Sequence, residues 1–312
     1  MFSCSVNKGD KQELKIAYVM APGGTSHEAA LKIGELVEKY TKGQIKTRFY
    51  PNGVLGNDRI LIEGLNLGSQ DIVIMGPAVI GWYTPEYGLI EAPFLFRDYD
   101  HLDKVMYGEI GKEIEQRIFD KCKLRFLAYL HRGSRYLTTT NIIIRTPEDL
   151  NGLKMRVPEL PIYIKSWDIF GANPTPITYS DMFMALKQGV VDGQENPLEV
   201  IYTSHLYETQ SYVMNTRHLI GFYAVAVGDR FYKKYSQENQ KIIKNAVFEA
   251  ATYQNNLVKR YEQDYKRKLE EHGVRFIDVD RKAFEKLAKE KLPLEFKDSW
   301  EPGVFERIIN VK

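Results

Sequence analysis

Two short stretches carry residue types able to hold or transform a small polar molecule. The first is Leu153-Lys154-Met155-Arg156-Val157-Pro158, an apolar-rich run with an arginine inside it. It reads as a short strand with Arg156 at its end, and a guanidinium in so apolar a setting is costly unless an anion pairs with it. Two partners answer that need: an internal Asp or Glu, or the carboxylate of a bound acid held on the guanidinium fork. In open α/β sheets, ligands bind in the crevice beyond the carboxyl ends of strands, where Arg156 is expected. The second stretch is Asp192-Gly193-Gln194-Glu195-Asn196-Pro197, six polar or turn-forming residues directly after an apolar run. Asn196 offers donors and an acceptor to a carboxylate or a sugar hydroxyl, and Asp192 with Glu195 would form a general acid/base pair in an enzyme. The same residues also suit a turn followed by a helix cap.

The elements that position these residues follow a βαβ rhythm. Residues 14–20 read as a strand entering the loop Ala21-Pro22-Gly23-Gly24. A helix over 28–40 has Ala29, Ile33, Leu36, Val37 and Tyr40 on one face. A strand over 45–51, a helix over 58–67 and a buried strand over 71–75 come next. A helix is expected from about 101 to 121, then a long strand over 124–140 that passes from one sheet to another across Arg132-Gly133-Ser134-Arg135. Strands before Pro158, at 190–193 and at 223–227 complete the pattern, and residues 236–272 carry a charged, proline-free helix. The chain should therefore form two α/β domains, each using two segments: 1–133 plus 222–261, and 134–221 plus 262–312.

Composition bounds the function. At 312 residues, 44% hydrophobic and 27% charged, the chain is long enough for two globular cores. Lys plus Arg number 43 against 41 acidic residues, so there is no basic footprint for nucleic acid. No run reaches the roughly 18–20 apolar residues of a membrane span. Cys4 and Cys122 lack a CxxC spacing or a Cys/His cluster, so neither a metal site nor a cofactor is expected. Cys4, followed by a small polar spacer, reads equally as a lipid-modified cysteine or as an ordinary terminal one. No nucleophile elbow or phosphate loop supports an enzyme.

The segments YPNGVLGNDR (50–59), GLKMRVPE (152–159), GANPTP (171–176) and ALKQGVVDGQENP (185–197) occur in an order and spacing that resembles the substrate-binding proteins of tripartite ATP-independent periplasmic (TRAP) transporters. The likeness runs from about residue 14 to 273. It implies a monomeric, extracytoplasmic, type II-like binding protein of two α/β domains. These have a ligand cleft between them and a long bracing helix, and ligand-driven closure hands the cargo to membrane permease subunits. Carried over residue by residue, the family's carboxylate-pairing arginine falls on Arg156, its motif asparagine on Asn196, a second arginine on Arg135 and a ligand-side aromatic on Tyr179. Arg132 is a less direct counterpart. Sialate-binding members place a carboxylate where this chain has Gly76-Pro77, so a different acid is expected. The stretch HRGSRYLTTTN looks most like hexuronate-binding members, for D-glucuronate or D-galacturonate, with Glu159, His27 and Glu91 as further candidates for the ring hydroxyls. An aldonate, sialate, a dicarboxylate or a keto acid is the alternative cargo, and a module feeding a sensor shares every site residue.

Overall fold

The computed structural model describes residues 12–312; the candidate lipid-attachment residue Cys4 lies outside them. The chain opens with β1 (Gln12–Tyr18), α1 (Thr25–Tyr40), β2 (Ile45–Tyr50), α2 (Asp58–Leu67) and β3 (Ile72–Met75). Helices α3 (Ala78–Tyr83), α4 (Tyr99–Met106) and α5 (Glu109–Cys122) precede the long strand β4 (Arg125–Thr139). A second βαβ run follows: β5 (Lys154–Val157), α6 (Pro161–Phe170), β6 (Asn173–Pro176), α7 (Met182–Lys187), β7 (Gly193–Pro197) and α8 (Leu198–Thr203). Strand β8 (Tyr212–Val227), α9 (Asp229–Lys234), α10 (Gln237–Glu271), β9 (Arg275–Ile277), α11 (Arg281–Glu295) and α12 (Val304–Ile309) complete the chain.

Local chemistry explains most boundaries. Asn57 caps α2 by accepting the Ile60 amide at 3.2 Å, and the helix stops where Gly68 takes a left-handed φ of 87°. The single helix expected from 101 to 121 is two, α4 and α5, because the chain turns a corner at residues 107–108. There a Cβ on Gly111 would lie 1.8 Å from the Met106 carbonyl oxygen, a contact that demands glycine.

One nine-stranded sheet, ordered β2-β1-β3-β8-β4-β7-β5-β6 with β9 on β8, replaces the expected pair of sheets. Its first half is the parallel set β2-β1-β3, and its second the parallel set β7-β5-β6. Between them β4 and β8 run antiparallel, joining both halves: Arg125 to His131 pair with Val227 to Phe222, and Ser134 to Thr139 with Ile220 to Tyr212. The register slips between His131 and Ser134, leaving Arg132 and Gly133 as a bulge with Gly133 at φ 87°. Residues three apart face opposite sides of a regular strand, and an irregular insertion between them resets that alternation. Arg132 and Arg135 thereby both reach the same cavity.

Helix α10 spans the far side of both halves. Its Ile243, Ala246, Val247 and Ala250 pack with α1 and β1, whereas Tyr265 and Leu269 pack with α7 and α8. Within the expected range 262–312, β9 pairs with Tyr212–Met214 of β8 and Phe284 of α11 packs on Phe170 of α6, so this part stays with the second half, whereas the last helix reaches the first. Arg307 pairs with Glu113 of α5 at 2.6 Å, and His101 of α4 meets the Ile308 carbonyl at 2.8 Å.

Candidate functional site

A cavity of about 820 Å³ lies between the two halves of the sheet, a size typical of small-molecule sites. On the second-half side, β5 delivers Arg156 into it from between buried Met155 and Val157. Arg156 is 3% exposed, and its Nε and Nη2 donate to the Ile177 carbonyl at 2.9 and 2.7 Å. Among the described residues it forms no ion pair. Burial lowers its pKa to about 10, with Glu195 opposing and Arg135 adding to the shift, so it remains a cation at neutral pH.

Arg135 has the internal partner that Arg156 lacks. Its Nε and Nη2 donate to the Glu195 carboxylate, Nη2 also reaches the Glu195 carbonyl at 2.8 Å, and Nη1 has no partner. His218, held by Thr216 at 2.9 Å, meets the same carboxylate at 3.0 Å. Burial alone would raise the Glu195 pKa, but the Arg135 charge and hydrogen bonds, with His218, hold it down to about 2. Glu195 is therefore a fixed anion, saturated by its neighbours. Asp192 accepts the Lys154 amide at 3.0 Å and stays out of the cavity. The acid/base pair considered for an enzyme is not assembled.

The segment 193–197, which sequence reads as a turn, is a fully buried central strand between β4 and β5. Glu195 and Gln194 are engaged laterally by Arg135 and by Thr138, the latter at 2.9 Å, since residues near one another across paired strands become neighbours. Asn196 donates to Gln194 at 2.6 Å and to the Met182 sulfur at 3.4 Å, and its Oδ1 is buried without a partner. Tyr179 lines the cavity with its hydroxyl against Ser204 at 2.7 Å. Glu159 is exposed at the rim. Glu91 is buried in the wall, accepts from the Tyr163 hydroxyl at 2.8 Å and lies 3.9 Å from Arg132; burial raises its pKa. His27 is the exception: its Nδ1 is bonded to the Tyr18 hydroxyl at 2.6 Å on α1, and it does not line the cavity.

The first-half side contributes Asp58 and Trp82, which sequence reasoning missed, and Arg132, which it named only as a less direct counterpart. Asp58, at the start of α2, has a buried Oδ1 with no partner, and burial raises its pKa to about 6 against the pull of Arg132. Trp82 on α3 presents a buried, unpartnered Nε1 while the Arg59 guanidinium stacks 4.1 Å above its ring. Arg132, 5.0 Å over the Tyr223 ring, leaves its Nε unpartnered. The available signal was the segment 50–59, whose acid and base at 58 and 59 follow a helix-capping Asn57. The wall thus has an acceptor and two donors with no partner among the described residues, the complement that hydroxyl groups satisfy because each can both donate and accept.

A crevice between two α/β halves, with a cation and several unsatisfied polar atoms facing it, is the design of a capture protein for a small polar anion. The model of the bacterial extracellular solute-binding protein family 7 matches residues 16–297, and the chain belongs to this family. It is 35% identical over 277 residues to a solute-binding protein of Roseobacter denitrificans, covering 89% of this chain and 85% of that one. The structure of that TRAP periplasmic protein with bound L-galactonate superposes with a TM-score of 0.88 at 32% identity, over 96% of this chain and 99% of the other. The 2,3-diketo-L-gulonate-binding periplasmic protein of Escherichia coli is 32% identical over 274 residues, 88% of this chain and 83% of that one. A TRAP periplasmic protein of Pseudomonas putida F1 with bound D-glucuronate gives a TM-score of 0.86 at 29% identity, covering 96% and 97%. As a TRAP-type periplasmic solute-binding protein, the chain binds its cargo without transforming it and works with membrane permease subunits.

Proposed function

We propose that this protein captures a six-carbon sugar acid, with a hexuronate, D-glucuronate or D-galacturonate, as the preferred cargo, and passes it to the permease. The observation that carries this reading is Arg156: a buried cation facing the cavity that, among the described residues, pairs with no internal carboxylate. A ligand carboxylate supplies the missing anion on the guanidinium edge, with Asn196 Oδ1 and Arg135 Nη1 beside it. Across the cavity, Asp58, Trp82 and Arg132 meet the hydroxyls. The Asp58 and Glu91 carboxyl groups on that side offer acceptors to hydroxyls, which favours a sugar acid over a C4-dicarboxylate. The ligands named for three of the relatives, L-galactonate, 2,3-diketo-L-gulonate and D-glucuronate, are of this class.

In this reading the two halves act as lobes, divided near 133/134 and 221/222, where β4 and β8 cross. Closing them on the ligand strips water from the Arg156 pair and strengthens it. An aldonate is the second reading, favoured by the L-galactonate-binding relative. Thermal-shift measurement with D-glucuronate, D-galacturonate, L-galactonate, 2,3-diketo-L-gulonate and succinate tests the proposal. Stabilisation by one or both uronates above the rest is expected. Stabilisation by succinate alone removes the sugar-acid reading, and a dominant response to L-galactonate moves the cargo to the aldonates.

A further inference from the structure

Glu199 stands outside the cavity and is absorbed by nothing described so far. It sits on α8, whose Leu198 and Ile201 belong to the second-half core, yet its carboxylate is buried against α1 of the first half. Oε1 accepts the Thr25 amide at 2.8 Å and Oε2 accepts the Thr25 hydroxyl at 2.6 Å. The carboxylate thus occupies the amino end of a helix, where free amides and the helix dipole favour it. The fit is close: a Cβ built on Gly24 would meet Glu199 Oε1 at 2.3 Å, and its three nearest atoms all belong to Glu199.

Both ends of this contact run directly into the cavity wall. Upstream of Thr25, Ala21 and Pro22 line the cavity; downstream of Glu199, Thr203 and Ser204 do so. A second tie lies alongside, where the Tyr265 hydroxyl of α10, packed in the second-half core, donates to the Gly23 carbonyl at 2.7 Å.

From this placement we infer that Glu199 is a clamp between the lobes, a positioning residue that sets ligand affinity by holding the α1 entry loop against α8 without touching the ligand. The clamp returns part of the ordering cost of closure, so removing it lowers affinity and widens the lobe separation. Burial raises the Glu199 pKa to about 7. The conservative variant Glu199→Gln keeps acceptor and donor in place without the charge, and it is expected to retain clamping where Glu199→Ala loses it.

The inference rests on the two-lobe reading but not on the identity of the cargo, and spin-label distance measurement separates the two. Labels are placed at Leu67→Cys and Val190→Cys, exposed positions in opposite halves, with Cys4→Ser. Distances are recorded without ligand and across a titration of D-glucuronate or L-galactonate. If neither acid nor their absence gives a compact population in the parent, the two-lobe reading fails. With a compact population present, Glu199→Ala is expected to deplete it and to raise the half-saturating ligand concentration by roughly 5- to 100-fold. Gly24→Ala should do the same from the opposite lobe by displacing the carboxylate, and Glu199→Gln should stay within a few-fold of the parent. Parent-like distances and affinity in both alanine variants overturn the clamp, as does a loss in Glu199→Ala that Gly24→Ala does not reproduce.

Discussion

Arg135 and Arg156 are 1% and 3% exposed and line one cavity, but their surroundings differ in kind. Around Arg135 the protein has supplied its own counter-charge: Glu195 opposite, His218 behind it and Thr216 fixing the histidine. Around Arg156 it has supplied a carbonyl oxygen and stopped. The first charge is balanced from within, and its worth is structural. The second is left for a molecule from outside to balance, and its worth is affinity. Burial alone does not tell a binding arginine from a scaffolding one; the inventory of anions around it does.

The comparison is broken most severely by Arg135→Ala. It strands the Glu195 anion and should cost about 3–5 kcal/mol of folding stability, read by urea unfolding; a loss under about 1 kcal/mol would mean that His218 alone balances the glutamate. Its pH counterpart follows from the depressed Glu195 pKa. That contribution is fully present above the ordinary carboxylate range, near 4.5, and is lost as pH falls towards about 2. Unfolding midpoints should therefore drop across that interval in the parent, and much less in Glu195→Gln.

Arg156→Ala should leave the ligand-free protein as stable as the parent, because it removes a desolvated cation without stranding an internal anion. Its cost appears in binding, about 2–5 kcal/mol, or roughly 30- to several-thousand-fold, by calorimetry with the acid found in the thermal-shift screen. An affinity within threefold of the parent would take Arg156 out of the site.

A smaller effect sharpens the contrast on the opposite wall. Asp58 has a raised pKa, so its burial favours the folded state at low pH, and that contribution is lost as pH rises through about 6. Asp58→Asn should accordingly raise the melting temperature at pH 7. It should also weaken sugar-acid binding by about 1–3 kcal/mol through a lost acceptor. A variant no more stable than the parent at pH 7 would place the aspartate in contact with bulk water.

Sequence made Arg156 legible because a lone cation in an apolar strand is anomalous whatever surrounds it, and it made α1 legible by an apolar face at helical spacing and α10 by a long charged run without proline. It did not reveal which arginine was already paired. The pairing comes from the register that sets Arg135 opposite Pro197 and Leu137 opposite Glu195, a relation between segments 60 residues apart. For the same reason the first half of β8 was missed: Asn215, Thr216, Arg217 and His218 interrupt its apolar pattern, and buried His218, held by Thr216, partners Glu195. His27, a polar residue near a loop, is engaged by Tyr18 from the neighbouring strand. Asp58 and Trp82 carry no periodic signal; only the fold turns their polar atoms inward.

The slip in the β4 ladder has a mechanical reading. Two strands that run unbroken through both halves behave as a pair of leaf springs, stiff wherever cross-strand bonds are complete and compliant where they are missing. Of the three irregularities in the β4–β8 ladder, at Phe126/Ala128, His131/Ser134 and Arg135/Leu137, the middle one leaves out Arg132 and Gly133, and Arg132 is also among the side chains that face the cavity. Bending stress is thus focused on a point that touches the cargo, so that flexing the springs and gripping the ligand are one displacement felt by one residue.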